Sequence, residues 1–443
     1  MDRRQNIIGN ILFYLIVALI SLPLLQQLTG FAYVRPLKGS VKTDEPPVFE
    51  NWFSGEFQQH ADNYFNSNFG FRSSFVRLHN QIDYWLFDIV NAKNVLIGKD
   101  GYLFEYGYIK EYLGKNFLGK DEINNRIAKL KSVSDTLSKR NIDIVVLLAA
   151  GKASYFPEYF PDSLPSDSKT ISNYDHFSYA LDSAGLKFID FNRWFVNMKD
   201  TSRYVLYTKG GIHWSKYGEY LVADSLIKYV ENLKGVRLPY YDLIDIETSI
   251  IPRFRDNDIG QGMNLIFPHS AQEMAYPITQ IVVPDGATPI TASVVADSYF
   301  WELYNEGLIG RIFSNGQFWY YNRRIHSPDP GWYTSDVNTL DIRHETEKND
   351  VIFILQTEAT LYRFAFGYLD NLIEAYKDTS YVFDSTIIMD SKVNALIERI
   401  KSNEKWYSKV KEKAKKRGLS VQQMLENDAR YLIKKNQKEM EIK

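Results

Sequence analysis

Residues 142–150 read IDIVVLLAA, an almost unbroken apolar run that predicts a strand buried on both faces of a parallel sheet. Similar runs occur at residues 290–296 and 351–356, with a shorter one, LKFID, at residues 186–190. Segments with helical spacing of apolar residues separate them, at residues 121–139, 172–183 and 215–233. Strands that alternate with helices predict an α/β fold, a parallel sheet flanked by helices.

Length and composition narrow the class of protein. The chain has 443 residues, which suits one large α/β domain with additions. Its 52 basic and 54 acidic side chains give a net charge of −2, so no basic field favours nucleic acid. It contains no cysteine, which excludes disulfides, a thiolate nucleophile and cysteine-rich metal sites.

The N-terminus predicts a membrane anchor. Residues 7–28 read IIGNILFYLIVALISLPLLQQL, and Arg3 and Arg4 precede them, which indicates a cytoplasmic N-terminus. A cleaved signal peptide and a buried core helix are the alternatives, although no small-x-small cleavage site follows. Both the anchor and the signal peptide place the remaining chain outside the cytoplasm.

Polar residues follow each predicted strand, and the carboxyl ends of parallel strands are where such sheets bind ligands. They are Gly151 and Lys152, Asp190, Asp297 and Ser298, and Thr357 and Glu358. Ser298 is the sharpest candidate, since a serine on a strand-to-helix turn exposes its hydroxyl beside backbone N–H groups. The plainer interpretation is that Asp297 and Ser298 cap a helix.

One histidine of seven stands in a suggestive setting. His213 lies in YTKGGIHWSKYG, residues 207–218, between a glycine-rich turn and a predicted helix. No two histidines have the spacing of metal ligands, so the sequence predicts no metal site. It also contains no glycine-rich phosphate-binding loop, so it predicts no nucleotide cofactor. A lone histidine is more often only a hydrogen-bonding residue, but His213 and Ser298 together favour nucleophilic catalysis.

Two motifs resemble those of a known family. ADSYF, residues 296–300, resembles the Gly-Asp-Ser block of SGNH hydrolases, and GGIHWSKYG, residues 210–218, resembles the Asp-x-His-Trp block of the alginate O-acetylation (AlgX/AlgJ-type) family. The order of the two blocks agrees, as do FGFRSSF, GKDGYLF, LLAAGKASYFPEYFP, DNDIGQGMNL and TEATL. The resemblance covers about residues 52–369. Within the family, the chain is similar to the Bacteroidetes-type branch.

The resemblance implies an SGNH-like fold and an O-acetyltransferase that modifies a secreted or cell-surface polysaccharide. A membrane-bound O-acyltransferase would supply the acetyl group, and the catalytic domain would lie in the periplasm on a single-pass inner-membrane anchor. Ser298 would be the nucleophile and His213 the base. We expect oxyanion or substrate support from Asp297, Gly151, Lys152 and Asn264, and sugar contacts from Trp214, Tyr299 and Trp301.

This chain departs from the family pattern at the orienting acid. The aspartate two residues before the histidine is Gly211 here, and the glycine of Gly-Asp-Ser is Ala296. Three explanations stay open: another acid reaches His213, a backbone carbonyl replaces the acid, or the site is inactive. The candidate acids are Asp190, Asp256 and Asp258.

Two other functions therefore compete with acetyl transfer: a carbohydrate acetylesterase of the same fold, and an inactive glycan-binding or assembly scaffold. For the organisation of the chain we expect four parts. These are a cytoplasmic N-terminus and transmembrane anchor (residues 1–30), a tether and helical extension (31–95), the SGNH-like α/β domain (96–375) and a C-terminal helical extension (376–443).

Overall fold

The computed structural model describes residues 3–39, 46, 49, 52–267, 272–328, 334–378, 380–381 and 385–441. The strands in this part of the chain are β1 (Val95–Ile97), β2 (Leu103–Glu105), β3 (Asp143–Ala149), β4 (Phe188–Asp190), β5 (Tyr240–Ser249), β6 (Met274–Val282), β7 (Ala292–Ala296), β8 (Phe318–Tyr320), β9 (Arg324–His326), β10 (Thr334–Asp336) and β11 (Val351–Thr357). The helices are α1 (Arg3–Thr29), α2 (Glu56–Asn68), α3 (Arg72–Phe87), α4 (Tyr106–Tyr112), α5 (Lys120–Ser138), α6 (Lys152–Tyr155), α7 (Asn173–Ser183), α8 (Phe191–Met198), α9 (Lys216–Lys234), α10 (Asp258–Gly262), α11 (Trp301–Asn305), α12 (Ile342–Glu347), α13 (Tyr368–Ala375), α14 (Ser385–Ser402), α15 (Glu404–Arg417) and α16 (Val421–Glu441). Parts of the expected tether, residues 40–45, 47–48 and 50–51, lie outside the described residues.

A seven-stranded sheet forms the centre of the molecule, in the order β10-β9-β8-β7-β11-β3-β4. The strands from β8 to β4 are parallel, as the sequence predicts, so their carboxyl ends share one edge. Strands β9 and β10 run antiparallel and extend one side of the sheet, which the sequence pattern did not indicate. This mixed arrangement still confirms the α/β class.

The central strands separate two apolar cores, because alternate residues of a strand face opposite sides of a sheet. In β3, Val145 and Leu147 enter one core, while Ile144 and Val146 enter the other. Strand β11 divides its side chains in the same way. Apolar residues at every position of these strands are therefore explained by burial on both faces.

Most of the predicted elements occur within two residues of their expected bounds. The run at residues 142–150 becomes β3, and the apolar runs on either side of Gly98 to Gly101 become the hairpin β1–β2. Ser172 and Ser215 serve as N-caps of α7 and α9. The antiparallel ribbon of β5 and β6 was not predicted.

The two ends of the chain add helices to this domain. Helix α1 contains an apolar stretch, Ile7–Thr29, that is long enough to cross a membrane, with a mean hydropathy of 2.4. It fits the predicted single-pass anchor. At the other end, α14, α15 and α16 pack around an apolar core of their own, and Gly418 ends α15 in the left-handed conformation (φ 64°).

Candidate active site

Ser298 lies in the turn that follows β7, and the neighbouring aspartate determines the shape of this turn. The carboxylate of Asp297 accepts hydrogen bonds from the backbone N–H of Tyr299 (3.0 Å) and of Thr357 (3.0 Å). The Thr360 hydroxyl also donates to it, at 2.8 Å. Asp297 thus ties the Ser298 turn to the end of β11, rather than binding His213. Its expected oxyanion role becomes one of positioning the nucleophile turn.

His213 lies in a loop that is held at both ends. Tyr207 and Trp214 form an isolated β-bridge across the loop, and the backbone N–H of Ser215 donates to Leu206. The Ser215 hydroxyl then accepts from the Gly218 N–H and begins α9. These contacts fix the imidazole in position, and only 6% of its surface remains exposed.

The structure brings His213, Ser298 and Asp258 together. The Nε2 atom of His213 is 3.0 Å from the Ser298 hydroxyl oxygen, and its Nδ1 atom is 2.6 Å from Asp258 Oδ2. Both distances are those of hydrogen bonds. With a carboxylate on Nδ1, the proton of the neutral ring is held there and Nε2 is left to accept the serine proton.

The Asp258 carboxylate is held by the loop that it serves. Its Oδ1 atom accepts hydrogen bonds from the backbone N–H groups of Ile212 (2.9 Å) and Ile259 (2.8 Å). Burial would raise the pKa of Asp258, but the bond to His213 and these N–H groups outweigh burial and lower the pKa. Asp258 is therefore ionised at neutral pH and suited to stabilise an imidazolium.

The glycine that replaces the family aspartate makes room for Asp258. A Cβ atom on Gly211 would lie 3.0 Å from the carbonyl oxygen of Arg255 and 3.1 Å from that of Asp256. A Cβ atom on Gly210 would lie 2.0 Å from Asn257 Oδ1. The segment that carries Asp258 thus packs directly on the two glycines, and the space for a side chain there is occupied.

The other two candidate acids are engaged elsewhere. Asp190 caps α8 by accepting from the Arg193 N–H (2.8 Å), and it also accepts from the Tyr174 hydroxyl (3.0 Å). Asp256 is buried, and burial raises its pKa to about 7 despite a hydrogen bond from Tyr276. Neither carboxylate has a hydrogen bond to His213 among the described residues, so the expectation that either one orients it is wrong.

Lys152 supports the histidine loop from within the core, not the substrate as the sequence suggested. Its side chain has no exposed surface, and its ammonium donates to the carbonyls of Lys209 (2.6 Å) and Gly211 (2.9 Å). The rings of Tyr102 and Phe104 lie 5.7 and 5.4 Å from the ammonium. Burial lowers the pKa of Lys152 well below its ordinary value, although the charge of nearby Asp258 opposes this shift.

Two expected oxyanion donors have acceptors close by. The backbone N–H of Gly151 is directed at the buried carboxyl of Glu358. The amide of Asn264 donates to the carbonyls of Lys38 (3.1 Å) and Gly262 (3.0 Å). The Asn264 amide is therefore already engaged by other acceptors, while oxyanion or substrate support from Gly151 stays a prediction.

Tyr321 is a residue that the sequence reasoning missed. Its phenol oxygen accepts a hydrogen bond from the backbone N–H of Ser298 and is also hydrogen-bonded to the Ser298 side chain. Burial and the negative charge of Asp297 raise the pKa of Tyr321, which keeps the hydroxyl protonated and able to donate. The backbone of Tyr321 is left-handed (φ 50°), a conformation that bulky residues rarely adopt and that is concentrated at functional sites.

The aromatic residues expected to contact sugar have different positions. Trp214 and Tyr299 are each 1% exposed, so they cannot form a sugar platform, and that expectation is wrong. The Tyr299 ring instead lies 4.7 Å from the His213 ring, and its hydroxyl donates to the carbonyl of Ile212 (2.6 Å). Trp301 keeps part of its surface and packs edge-on against Tyr320 (5.1 Å).

Comparison with known families finds a match for part of the chain that carries this serine–histidine–aspartate geometry. Residues 95–240 match the family described as SGNH hydrolase-like domain, acetyltransferase AlgX. This segment of the chain is therefore similar to acetyltransferase domains of the AlgX/AlgJ type. The matched segment includes His213 and ends before Asp258 and Ser298, whose placement is a finding of the structure.

Individual relatives are similar over part of the chain. A probable alginate O-acetylase AlgJ of Azotobacter vinelandii is 26% identical over 193 residues, which are 43% of this chain and 47% of that protein. The chain thus spans about half the length of this curated relative.

Two solved structures cover a larger share of the chain at lower identity. The O-acetyltransferase domain of Pseudomonas putida AlgJ is 15% identical, with a TM-score of 0.41, over 63% of this chain and 99% of that one. Pseudomonas aeruginosa AlgX is 15% identical, with a TM-score of 0.40, over 62% and 67% of the two chains.

Proposed function

We propose that this protein is a membrane-anchored, extracytoplasmic O-acetyltransferase that acts on hydroxyl groups of a polysaccharide. The observation that carries the proposal is the hydrogen-bonded series from Asp258 through His213 to Ser298, with distances of 2.6 and 3.0 Å. The family match to an acetyltransferase domain supports acetyl as the transferred group. The name of its curated relative supports a polysaccharide as the acceptor.

The first half-reaction makes an acetyl-enzyme. The Ser298 oxygen attacks the carbonyl carbon of an acetyl donor, while His213 Nε2 takes the hydroxyl proton. Asp258 stabilises the imidazolium. The negative oxygen of the tetrahedral intermediate would replace the Tyr321 phenol oxygen as the acceptor of the Ser298 N–H, and the Tyr321 hydroxyl would be the second donor to it. His213 then gives the proton to the leaving group, and the acetyl ester of Ser298 remains.

The second half-reaction passes the acetyl group to the sugar. His213 removes the proton from a sugar hydroxyl, whose oxygen attacks the acetyl carbon of the Ser298 ester. The ester bond breaks, and the proton returns from His213 to the serine oxygen. Transfer rather than hydrolysis requires that the sugar hydroxyl outcompete water for the acetyl-enzyme. Trp301, which is partly exposed, is the remaining aromatic candidate for a sugar contact.

The proposed location follows from the N-terminal helix. The span Ile7–Thr29 would cross the inner membrane, and Arg3 and Arg4 would keep the N-terminus in the cytoplasm. The catalytic domain would then lie in the periplasm, beside a membrane-bound O-acyltransferase that supplies acetyl groups. In this proposal the chain divides after residues 30, 95 and 375 into the anchor, the tether and helical extension, the α/β domain and the C-terminal helical extension.

The test follows the acetyl group on the full chain in detergent. We expect wild type to release 4-nitrophenol from 4-nitrophenyl acetate and to carry one acetyl group by intact mass. Ser298→Ala and His213→Ala should be silent in both assays. A wild type that never carries acetyl would indicate a scaffold. An acetyl-enzyme that discharges equally fast with and without polysaccharide acceptor would indicate an esterase, and either result would contradict the proposal.

A further inference from the structure

Helix α3 is inverted, with polar side chains facing the protein and apolar side chains facing out. The buried positions are Arg77, Asn80 and Gln81, which are 7%, 8% and 2% exposed. The outward residues, between 44% and 70% exposed, are Phe75, Leu78, Ile82, Trp85 and Leu86. Their spacing of three and four residues places them on one helical face. A surface helix in water normally shows the opposite arrangement.

Specific hydrogen bonds hold the polar face of α3 inward. The Arg77 guanidinium donates to the backbone carbonyls of Arg35 and Pro36, both at 2.7 Å. The Asn80 amide donates to the carbonyl of Met263 at 2.8 Å. Because buried donors that lose their acceptors cost free energy, these bonds oppose rotation of the helix. The hydrogen bonds of the polar face therefore fix the orientation in which the apolar residues of α3 point outward.

The neighbouring loop enlarges the apolar face. The Gln81 side-chain oxygen accepts hydrogen bonds from the backbone N–H groups of Ile266 (3.1 Å) and Phe267 (2.9 Å). The Phe267 ring stacks on Trp85 at 5.3 Å, and the side chains of Ile266 and Phe267 are 45% and 56% exposed. The five outward residues of α3 with Ile266 and Phe267 are called the α3 face below. It is wider than the scattered apolar residues that a soluble surface normally shows.

This face begins at the end of the candidate membrane span. Gly70, just before α3, packs so closely on the span that a Cβ atom there would lie 1.9 Å from the carbonyl oxygen of Pro23. The next backbone N–H, of Phe71, donates to the Gln26 side chain at 3.2 Å. Both partners lie within Ile7–Thr29. The N-terminal end of α3 is thereby held beside the last turns of the span.

We propose that the α3 face rests in the membrane interface, with lipid headgroups and the adjoining acyl chains as its occupant. The side chains of the face carry no charge, and a tryptophan and two phenylalanines suit the boundary between headgroups and acyl chains. Continuity with the span selects lipid over another occupant, because a helix fixed beside an embedded segment meets the bilayer first. The proposal requires that the span is embedded, and it is independent of the catalytic roles.

Membrane contact would place the catalytic aspartate near the bilayer surface. Asn80 binds the carbonyl of Met263, which directly follows α10, and α10 begins with Asp258. The helix that rests on lipid thus supports the loop that presents the catalytic carboxylate. An acetyl group that leaves the membrane would have a short path to Ser298. This consequence rests on the proposed catalytic roles, whereas the membrane contact itself rests only on the proposed anchor.

The absence of cysteine allows a direct test with single-cysteine variants of the full chain. Leu78→Cys and Ile82→Cys are labelled with the fluorophore NBD and reconstituted into phosphatidylcholine–phosphatidylglycerol vesicles that contain doxyl-labelled lipid. Ile16→Cys, in the span, is the positive control, and Tyr179→Cys, 67% exposed on α7, is the negative control. We expect blue-shifted emission and doxyl quenching at positions 16, 78 and 82, and neither at 179.

Each other outcome overturns the proposal in a distinguishable way. Quenching at position 16 without quenching at 78 and 82 would show that the α3 face does not meet lipid. Protection of 78 and 82 from iodide without doxyl quenching would assign the face to a second copy or a partner protein. No quenching at position 16 would show that the span is not embedded. The release of 4-nitrophenol by each variant in detergent, measured in parallel, reports folding and the catalytic proposal separately.

Discussion

At the scale of single residues, the central feature is an acid supplied from a different part of the chain. Gly211 stands where the family has its aspartate, and Asp258 provides the carboxylate from the start of α10. The carbonyls of Arg255 and Asp256 fill the space beside Gly211. The glycine and the distant aspartate are thus two parts of one arrangement, since a side chain at position 211 would displace the segment that carries Asp258.

An aspartate placed at position 211, where the family that the chain resembles has one, should therefore not take over the role of orienting His213. Gly211→Asp should destabilise the protein by about 1–3 kcal/mol, because its Cβ meets backbone on the packed side. In an Asp258→Asn background it should not recover 4-nitrophenyl acetate turnover. Chemical denaturation and the turnover assay measure the two effects. Gly107→Asp, at a glycine with open space around it, is the matched control. Recovery to within tenfold of wild type would show that either position can supply the acid.

Tyr321 is expected to act in the transition state. Tyr321→Phe should lower the rate of Ser298 acetylation by about 10²–10³, since one donor to the developing oxyanion is lost. Its neighbour Tyr320→Phe should leave that rate nearly unchanged. Single-turnover acetylation followed by mass measurement gives both rates. Equal rates for Tyr321→Phe and wild type would remove Tyr321 from the proposed mechanism.

At the scale of elements, the loop before α9 depends on a lysine from another strand end. Lys152→Met would leave the Gly211 carbonyl without its buried donor, whereas the Lys209 carbonyl would keep the backbone N–H of Leu103 at 2.9 Å. An unsatisfied buried carbonyl costs about 1–3 kcal/mol, so the free energy of unfolding should fall by about that amount. Lys209→Met removes an ammonium that donates to the exposed carbonyl of Asp100, so this variant should change the free energy of unfolding little. A fall of similar size in both variants would contradict the positioning role of Lys152.

Sequence patterns predicted the strands and helices whose apolar residues follow one clear spacing, and the turns marked by one characteristic residue. The strands β3, β7 and β11 are apolar throughout, and Ser298 and His213 stand in recognisable turns. The choice among Asp190, Asp256 and Asp258 could not be made from sequence, because it depends on how distant loops pack. The Tyr321–Asn322 pair, with asparagine tolerant of a left-handed turn, was the one local signal for Tyr321.

Burial was the property that the sequence represented least well. Trp214 and Tyr299 adjoin the candidate catalytic residues His213 and Ser298 in the sequence, which suggested sugar contact, yet both are buried beneath the site. Helix α3 lies in the segment where a helical extension was expected, but the sequence did not indicate that its apolar face would point away from the core. In both cases the sequence pattern shows which side chains share a face of the helix or turn. Only the tertiary fold decides whether that face meets the core or the solvent.

At the scale of the whole molecule, buried carboxyls with raised pKa values should make stability depend on pH, and Glu358 is one of them. Glu358 is fully buried, with Ser154, Asn192 and the Gly151 N–H as partners, and burial raises its pKa from 4.5 to about 7. A raised pKa means that the folded state binds the proton more tightly than the unfolded state. The resulting stabilisation is complete below pH 4.5 and is lost as the pH rises to about 7.

The expected loss is on the order of 3 kcal/mol across that range, from about 1.4 kcal/mol for each pKa unit. Glu358→Gln should reduce the slope of melting temperature against pH in this range, and Asp256 and Glu219 should supply the slope that remains. Glu374→Gln, at a side chain that is 73% exposed beside Lys377, should leave the profile as in wild type. A profile that keeps its full slope in Glu358→Gln would contradict the assignment to this carboxyl.

The measurement that tests the central claim most directly is the rate at which a fluorophosphonate probe labels Ser298. It needs neither the natural acetyl donor nor the polysaccharide. We expect the probe to label wild type at Ser298, and Asp258→Asn to react about 10³–10⁴ times more slowly, with Asp190→Asn unchanged. An unlabelled wild-type protein, or an Asp258→Asn variant that reacts as fast as wild type, would contradict the proposed relay from Asp258 through His213 to Ser298.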